Sequence, residues 1–240
     1  MVWISLYSLI LCQDSLEALS RVLLGIWLTL FKDGSLAVAE GRSIAPTINK
    51  LLTFPFILKI ATKDWHPADH ISFASNHEAP DNQPFVSIAT ITNPLNPSET
   101  QKSRLWPIHC VQGTFGAQLV PELDSSRLDQ IVEKGQDCRV EMYSALYDPF
   151  RVSDSGLVAT LKESGITHVF VAGLAFDYCV KCTAEDAAAE GFVTYIIREA
   201  TKAVDPTVWA DIERELTEKG VIMIHADGKE IDGVKSLSTN

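Results

Sequence analysis

The sequence predicts an α/β fold: a three-layer sandwich with a mostly parallel central sheet. Short apolar runs rich in β-branched residues alternate with stretches of helical spacing along most of the chain. The run HVFVAGLA (168–175) is apolar throughout, as suits a buried strand, and it leads into an alanine-rich helical stretch. Such alternation implies parallel strands joined by crossover helices, and no internal repeat or low-complexity block competes with it. In sheets of this kind ligands sit beyond the carboxyl ends of the strands, so strand-end residues are where a site is sought.

Taken in order, VLLGIWLTLF (22–31) reads as a strand, SIAPTINKLL (43–52) as a helix and FPFILKIATKDW (54–65) as a strand. Residues 76–105 hold most of the Pro and Asn without clear periodicity, and read as a long loop of the kind often tied to a binding site. A short strand follows near 130–134. DSGLVATLKESG (154–165) has apolar residues at helical spacing and stops at Gly165. Beyond the strand at 168–175 come a helix (178–191), a strand (192–200), a helix opened by Pro206 (206–220) and a last strand, VIMIHA (221–226). The expected organisation is one domain over 22–230, an atypical segment at 1–21 and a frayed, flexible tail at 231–240.

At 240 residues the chain is long enough for a single domain that buries about 70% of its unfolded surface. A net charge of −11 argues against a nucleic-acid or anionic-membrane partner, while polar small molecules stay open. Five cysteines, an odd number, do not resemble a secreted disulfide framework and fit reduced thiols in a cytoplasmic setting. Neither N-terminal apolar run reaches the roughly 20 residues of a membrane span, so a soluble chain is expected.

Three groups of residues stand at predicted strand ends. Cys179 falls in the predicted first turn of a helix, where free N–H groups and the helix dipole would lower a thiol pKa from about 8.5. Cys182 makes the stretch a C-x-x-C, but it lies inside the helix among Ala184, Ala187 and Ala188; a redox pair and two core thiols remain alternatives. Asp64 and His66 point to one side of an extended chain and Trp65 to the other, presenting an oxygen and a nitrogen suited to zinc. His109 would add a third ligand; otherwise Asp64 caps the following turn and His66 bonds locally. His70 and His77 are weaker candidates, and His168 and His225 flank strands. Lys134 would stabilise a neighbouring thiolate if one is present, and is a solvated lysine if not.

FKDGSLAV (31–38), ATKDWHPADHISFASNH (61–77), LWPIHCVQGT (105–114), EKGQD (133–137), YSALYDPF (143–150) and GLAFDYCVKCTAEDAAAEGF (173–192) occur in that order. Together they closely resemble the isochorismatase-like cysteine hydrolase family in its fungal nicotinamidase branch, over residues 31 to about 225. The resemblance implies that Cys179 is the nucleophile and Lys134 the lysine beside it. It implies that Asp64, His66 and His109 bind a divalent metal, usually zinc, which holds the pyridine nitrogen of the substrate. Leu174 and Ala175 match a cis peptide of the family. The amides of Ala175 and Cys179 would form an oxyanion hole, and Phe31, Trp106, Tyr143 and Tyr178 would line the pyridine pocket. Cys182 has no catalytic counterpart. The implied activity is hydrolysis of nicotinamide to nicotinate and ammonia through a thioester, feeding NAD salvage in the cytoplasm, with a nuclear location and a homo-oligomer left open.

One departure stands out. The family carries a proton-transferring aspartate in a V-D-x-Q-x-D-F block on the first strand, and ungapped alignment on FKDGSLAV puts Ile26 there. Asp33 lies in the following turn and Asp14 far upstream. Nucleophile and base act as a unit, so losing one costs about 10³ or more in rate. Either the first 30 residues reflect a mis-assigned frame or exon boundary, or the chain has lost turnover and kept a nicotinamide-binding pocket. Another amidase of the same superfamily is the remaining alternative.

Overall fold

The structure is a computed structural model that describes residues 21–26 and 36–239. In chain order its elements are β1 (Arg21–Ile26), α1 (Ala45–Leu52), β2 (Leu58–Asp64), β3 (Ile88–Asn93), β4 (Asn96–Arg104), β5 (Gln130–Lys134), α2 (Leu157–Glu163), β6 (His168–Leu174), α3 (Lys181–Ala189), β7 (Val193–Lys202), α4 (Trp209–Glu218), β8 (Ile222–Ile224) and α5 (Lys229–Lys235). Six strands form one parallel sheet in the order β5-β2-β1-β6-β7-β8. Successive residues Val169, Phe170, Val171 and Ala172 of β6 are all buried. Because they point alternately to opposite faces, both faces of the sheet must be covered, which is why this strand is apolar without alternation. The middle layer of the predicted sandwich is therefore a parallel sheet.

Helix formation follows the spacing. In α1, Ala45, Ile48, Leu51 and Leu52 are buried on one face, and Pro46 stands at its first turn. In α4, Ile212 and Leu216 are buried one turn apart, after a 3₁₀ turn capped by the Asp205 carboxylate. Gly165 ends the α2 region as expected, with φ +65°; the Ile166 amide bonds back to Leu161 carbonyl at 2.9 Å, closing the last turn.

The chain winds outward from β1 in both directions, through β2 to β5 and through β6 and β7 to β8. The order therefore reverses between β1 and β6, and a crevice opens at the carboxyl ends there. Ile26, Asp64, Lys134 and Leu174 end the strands that border it. Ile26 pairs in register with Thr62 and Gly173.

Three expectations need correction or restriction. The first strand is described as far as Ile26, and 27–35, with Phe31 and Asp33, lie outside the described residues, as do 1–20 with Asp14. The stretch 76–105 is not merely a loop, since β3 and β4 pair antiparallel in a separate ribbon. Their apolar content is low because most of the ribbon is exposed, Ile91 being its buried apolar residue beside the buried polar Asn93 and Ser103. Finally, residues expected to fray form α5, with Ile231 and Val234 fully buried in the core. Among the described residues no helix is long and apolar enough to cross a membrane.

If α5 belongs to the core, Ile231→Ala should destabilise the protein by about 2–4 kcal/mol in urea unfolding. A midpoint unchanged from the parent would show that the tail is dispensable.

Candidate active site

At the end of β2 and β5, Asp64 and Lys134 are paired in register and both are buried. The Lys134 ammonium lies 2.6 Å from Asp64 Oδ1, donates to the Met142 carbonyl at 2.8 Å and reaches Cys179 Sγ at 3.6 Å. One cation therefore links a carboxylate to a sulfur. Burial opposes the charge on Lys134, but Asp64 and then Cys179 outweigh it and raise its pKa. Asp64 is held below the usual carboxylate range: burial works against this, and Lys134, His66 and His109 prevail.

Cys179 stands in the first helical turn after β6, as expected: that turn, Phe176–Val180, is π-helical and runs directly into α3 at Lys181. Burial pushes its thiol pKa up and Lys134 only partly opposes this, so the expected lowering by the helix start does not hold in the resting protein. Cys179 and Cys182 are both free thiols. Cys182 lies on α3, with its pKa pushed up to about 12 by burial. The peptide Leu174–Ala175 is cis.

Asp64, His66 and His109 each offer a ligand atom, and these lie within 4.8 Å of one another. Each imidazole places Nδ1 2.8 Å from a carbonyl, that of Gly135 for His66 and of Pro107 for His109. A carbonyl only accepts, so both Nδ1 atoms carry the proton and both Nε2 atoms keep a free lone pair. His66 Nε2 faces Asp64 Oδ2 at 3.8 Å. Two lone-pair donors grouped with a carboxylate fit a divalent cation well. Trp65 points away, with the Lys63 ammonium 3.9 Å from its ring centroid, as strand alternation requires. Gly135 makes the approach possible: its φ is +69°, and an added Cβ would lie 2.4 Å from His66 Cε1.

These groups open on one cavity. Its polar side is formed by Asp64, His66, His109, Glu141 and Cys179, and its apolar side by Leu36, Val38, Trp106, Tyr143, Ala175, Tyr178 and Val204. Trp106 meets Tyr178 edge-on at 4.8 Å and donates its indole N–H to Tyr143 Oη at 2.9 Å. The cavity thus gathers every residue proposed from the sequence except three. Lys134 lies behind the sulfur, Leu174 is buried at the cis bond with its side chain against Gly41, and Phe31 is outside the described residues. His70 is buried beside His66, ring centroids 4.0 Å apart, while His77 bonds the Ile71 carbonyl. Glu141, Val204, Leu36 and Val38 had not been singled out. The signal for Glu141 was present, an acid flanked by Val140 and Met142. It is buried, with its pKa raised to about 7 by burial although Lys134 pulls the other way.

A family model for the isochorismatase domain matches residues 29–227. A nicotinamidase of Acinetobacter baylyi is 45% identical over 172 residues, 72% of this chain and 75% of that protein. The crystal structure of the yeast nicotinamidase bound to the inhibitor nicotinaldehyde is similar at TM-score 0.80 and 31% identity, covering 85% of this chain and 99% of that one. The pyrazinamidase of Pyrococcus horikoshii in complex with zinc is similar at TM-score 0.65 and 28% identity, over 86% and 99%.

Two outcomes follow from this geometry. Gly135→Ala should displace His66 and lower metal affinity by about 10–100-fold, read by metal analysis after dialysis; full metal content in the variant would sink the cradle argument. Burial also holds the His66 pKa at about 4 and that of His70 at about 2, both below the ordinary 6.5. Between those values the unfolded chain binds protons that the folded chain refuses, so stability rises with pH there. Metal-stripped protein should therefore lose stability as pH falls from about 6.5 toward 4, and urea midpoints that stay flat across that range would contradict it.

Proposed function

The chain belongs to the isochorismatase-domain family, and we propose that it is a nicotinamide amidohydrolase of the nicotinamidase type. One observation carries the reading: the sulfur, backed by a buried ammonium, and the candidate cation ligands converge on a single aromatic-walled cavity. The flat walls of Trp106, Tyr143 and Tyr178 suit a pyridine ring, with Phe31 proposed as a further wall. Asp64, His66 and His109 would hold a divalent cation, for which the donor set favours zinc. Bound there, it supplies an acceptor for the lone pair of the ring nitrogen, which orients the carboxamide toward Cys179.

In this reading the Cys179 sulfur forms a bond to the carboxamide carbon, and the N–H groups of Ala175 and Cys179, beside the cis peptide of Leu174, receive the developing oxyanion. Each such donor is typically worth about 2.7–4 kcal/mol. The C–N bond breaks as nitrogen takes up a proton and leaves as ammonia. Water then adds to the thioester, the C–S bond breaks, and nicotinate departs with the thiol restored; nicotinate is the form we propose enters pyridine nucleotide salvage. Lys134 favours the sulfur anion throughout. The thiol proton needs an acceptor, and Ile26 occupies the place of the family's first-strand acid. Glu141, whose buried carboxyl is poised near neutrality, is the cavity-lining group suited to exchange a proton.

Ile26 and the raised thiol pKa favour a second reading, a metal-dependent pyridine-binding protein without turnover. The purified chain with nicotinamide should release ammonia and nicotinate in equal amounts, and Cys179→Ala should abolish both. Ile26→Asp should raise turnover by about 10³-fold if the first-strand acid is the missing part. Binding without ammonia in the parent would select the second reading. No metal and no nicotinamide binding would remove both. In an active parent, Glu141→Gln without effect would take Glu141 out of the proton path.

A further inference from the structure

We propose that Asp177 is a positioning residue whose carboxylate straps the segment after β7 onto the nucleophile turn, so that Val204 sets the width of ring the cavity accepts. This rests on the amide-hydrolase reading and deepens it. Asp177 occupies the turn Phe176–Val180 between the cis peptide and Cys179, and Tyr178 and Cys179 of the same turn line the cavity. Its two oxygens are used separately. Oδ1 accepts the Val204 amide at 2.9 Å and Oδ2 accepts the Asp205 amide at 2.9 Å. Two successive N–H groups held by one carboxylate fix both the position and the direction of the backbone at Val204.

The strap is anchored beyond that point as well. The Asp205 carboxylate accepts from the Thr207 amide and hydroxyl, which turns the chain into α4. At the start of α4 the Trp209 ring stacks on Phe176, with centroids 3.9 Å apart and planes 18° from parallel. The neighbours in sequence on the nucleophile turn, Phe176 and Asp177, thus hold the two ends of a short arch. Within that arch, Val204 is the residue that lines the cavity. An apolar branched side chain on the cavity wall excludes ring substituents only if its backbone cannot retreat. Asp177 supplies that constraint without touching substrate.

Asparagine keeps one acceptor at this position and turns an N–H₂ toward the second amide, so Asp177→Asn loosens the strap without removing volume. Amide hydrogen exchange of the unliganded protein should show Val204 and Asp205 protected in the parent. Both should exchange about 10-fold faster in Asp177→Asn, a loss expected for one charged hydrogen bond, with Ala200 in β7 unchanged. In steady-state hydrolysis the same variant should raise KM for nicotinamide about 10-fold with kcat within about 3-fold, and its preference for nicotinamide over 5-methylnicotinamide should fall about 10-fold. Val204→Ala should reproduce the lost preference, and the double variant should add little to either single change. If the parent turns over neither amide, calorimetric binding of the two ligands supplies the same ratio. Unchanged exchange at Val204 and Asp205 would overturn the strap. An unchanged ligand preference in Asp177→Asn, alongside a changed one in Val204→Ala, would overturn its role in selectivity. A failure of the hydrolase reading shows in the parent chain, whereas a failure of the strap shows only in the variants.

Discussion

The site is organised around one buried ammonium. Lys134 has no route to water, so its charge is tolerable only because Asp64, the Met142 carbonyl and the Cys179 sulfur surround it. Those three groups arrive from the end of β2, the loop after β5 and the turn after β6. Removing any of them would leave a charge uncompensated in a low-dielectric interior, so the lysine ties the strand ends together electrically as well as sterically. Its partner Asp64 is shared: one oxygen meets the ammonium, and the other faces His66. The thiol and the candidate cation ligands thus share a carboxylate, and neither can change its charge without the other responding.

Parallel register explains how residues so distant in sequence meet. β2 and β5 end together, Asp64 against Lys134, and β6 ends one sheet position beyond β1. Loops leaving those ends carry the remaining groups. The Gly135 carbonyl, immediately after Lys134, sets the tautomer of His66, and the bare α-carbon of the same residue gives the ring its room. A single position therefore fixes both where the imidazole lies and which nitrogen is free.

The fold was legible where burial is two-sided. β6, its following helix and the Gly165 stop could be read from HVFVAGLA, the alanines and the glycine, because local preference and packing agree there. β3 and β4 were not, since an exposed ribbon needs no apolar alternation and Pro94 and Pro97 suggest a loop. α5 was missed because only Ile231 and Val234 in that stretch are fully buried, a signal too short for periodicity. At the site, the grouping of Asp64, His66 and His109 and the placement of Cys179 on the cavity were legible through the resemblance rather than through spacing, which left plain alternatives standing. The thiol's ionisation was misjudged because sequence shows a helix start but not the depth at which the sulfur lies. Glu141 left a trace, an acid between Val140 and Met142, whereas Val204 reaches the cavity from a segment whose direction depends on tertiary contacts, and no pattern in its neighbours gives that direction.

The antiparallel ribbon stands outside the main sheet, yet its second strand leads into one part of the aromatic wall and touches another. Ser103, near the end of β4, lies 3.2 Å from Tyr143 Oη, and Trp106 follows two residues after the strand, its backbone held between Ser72 and Ala74. The tip around Leu95 is exposed and far along the ribbon from those anchors. Lengthening or reshaping that tip would leave the scaffold of β1, β2, β5 and β6 untouched. Evolution can thus vary the far end of the ribbon while the wall it anchors and the floor of the cavity are inherited unchanged.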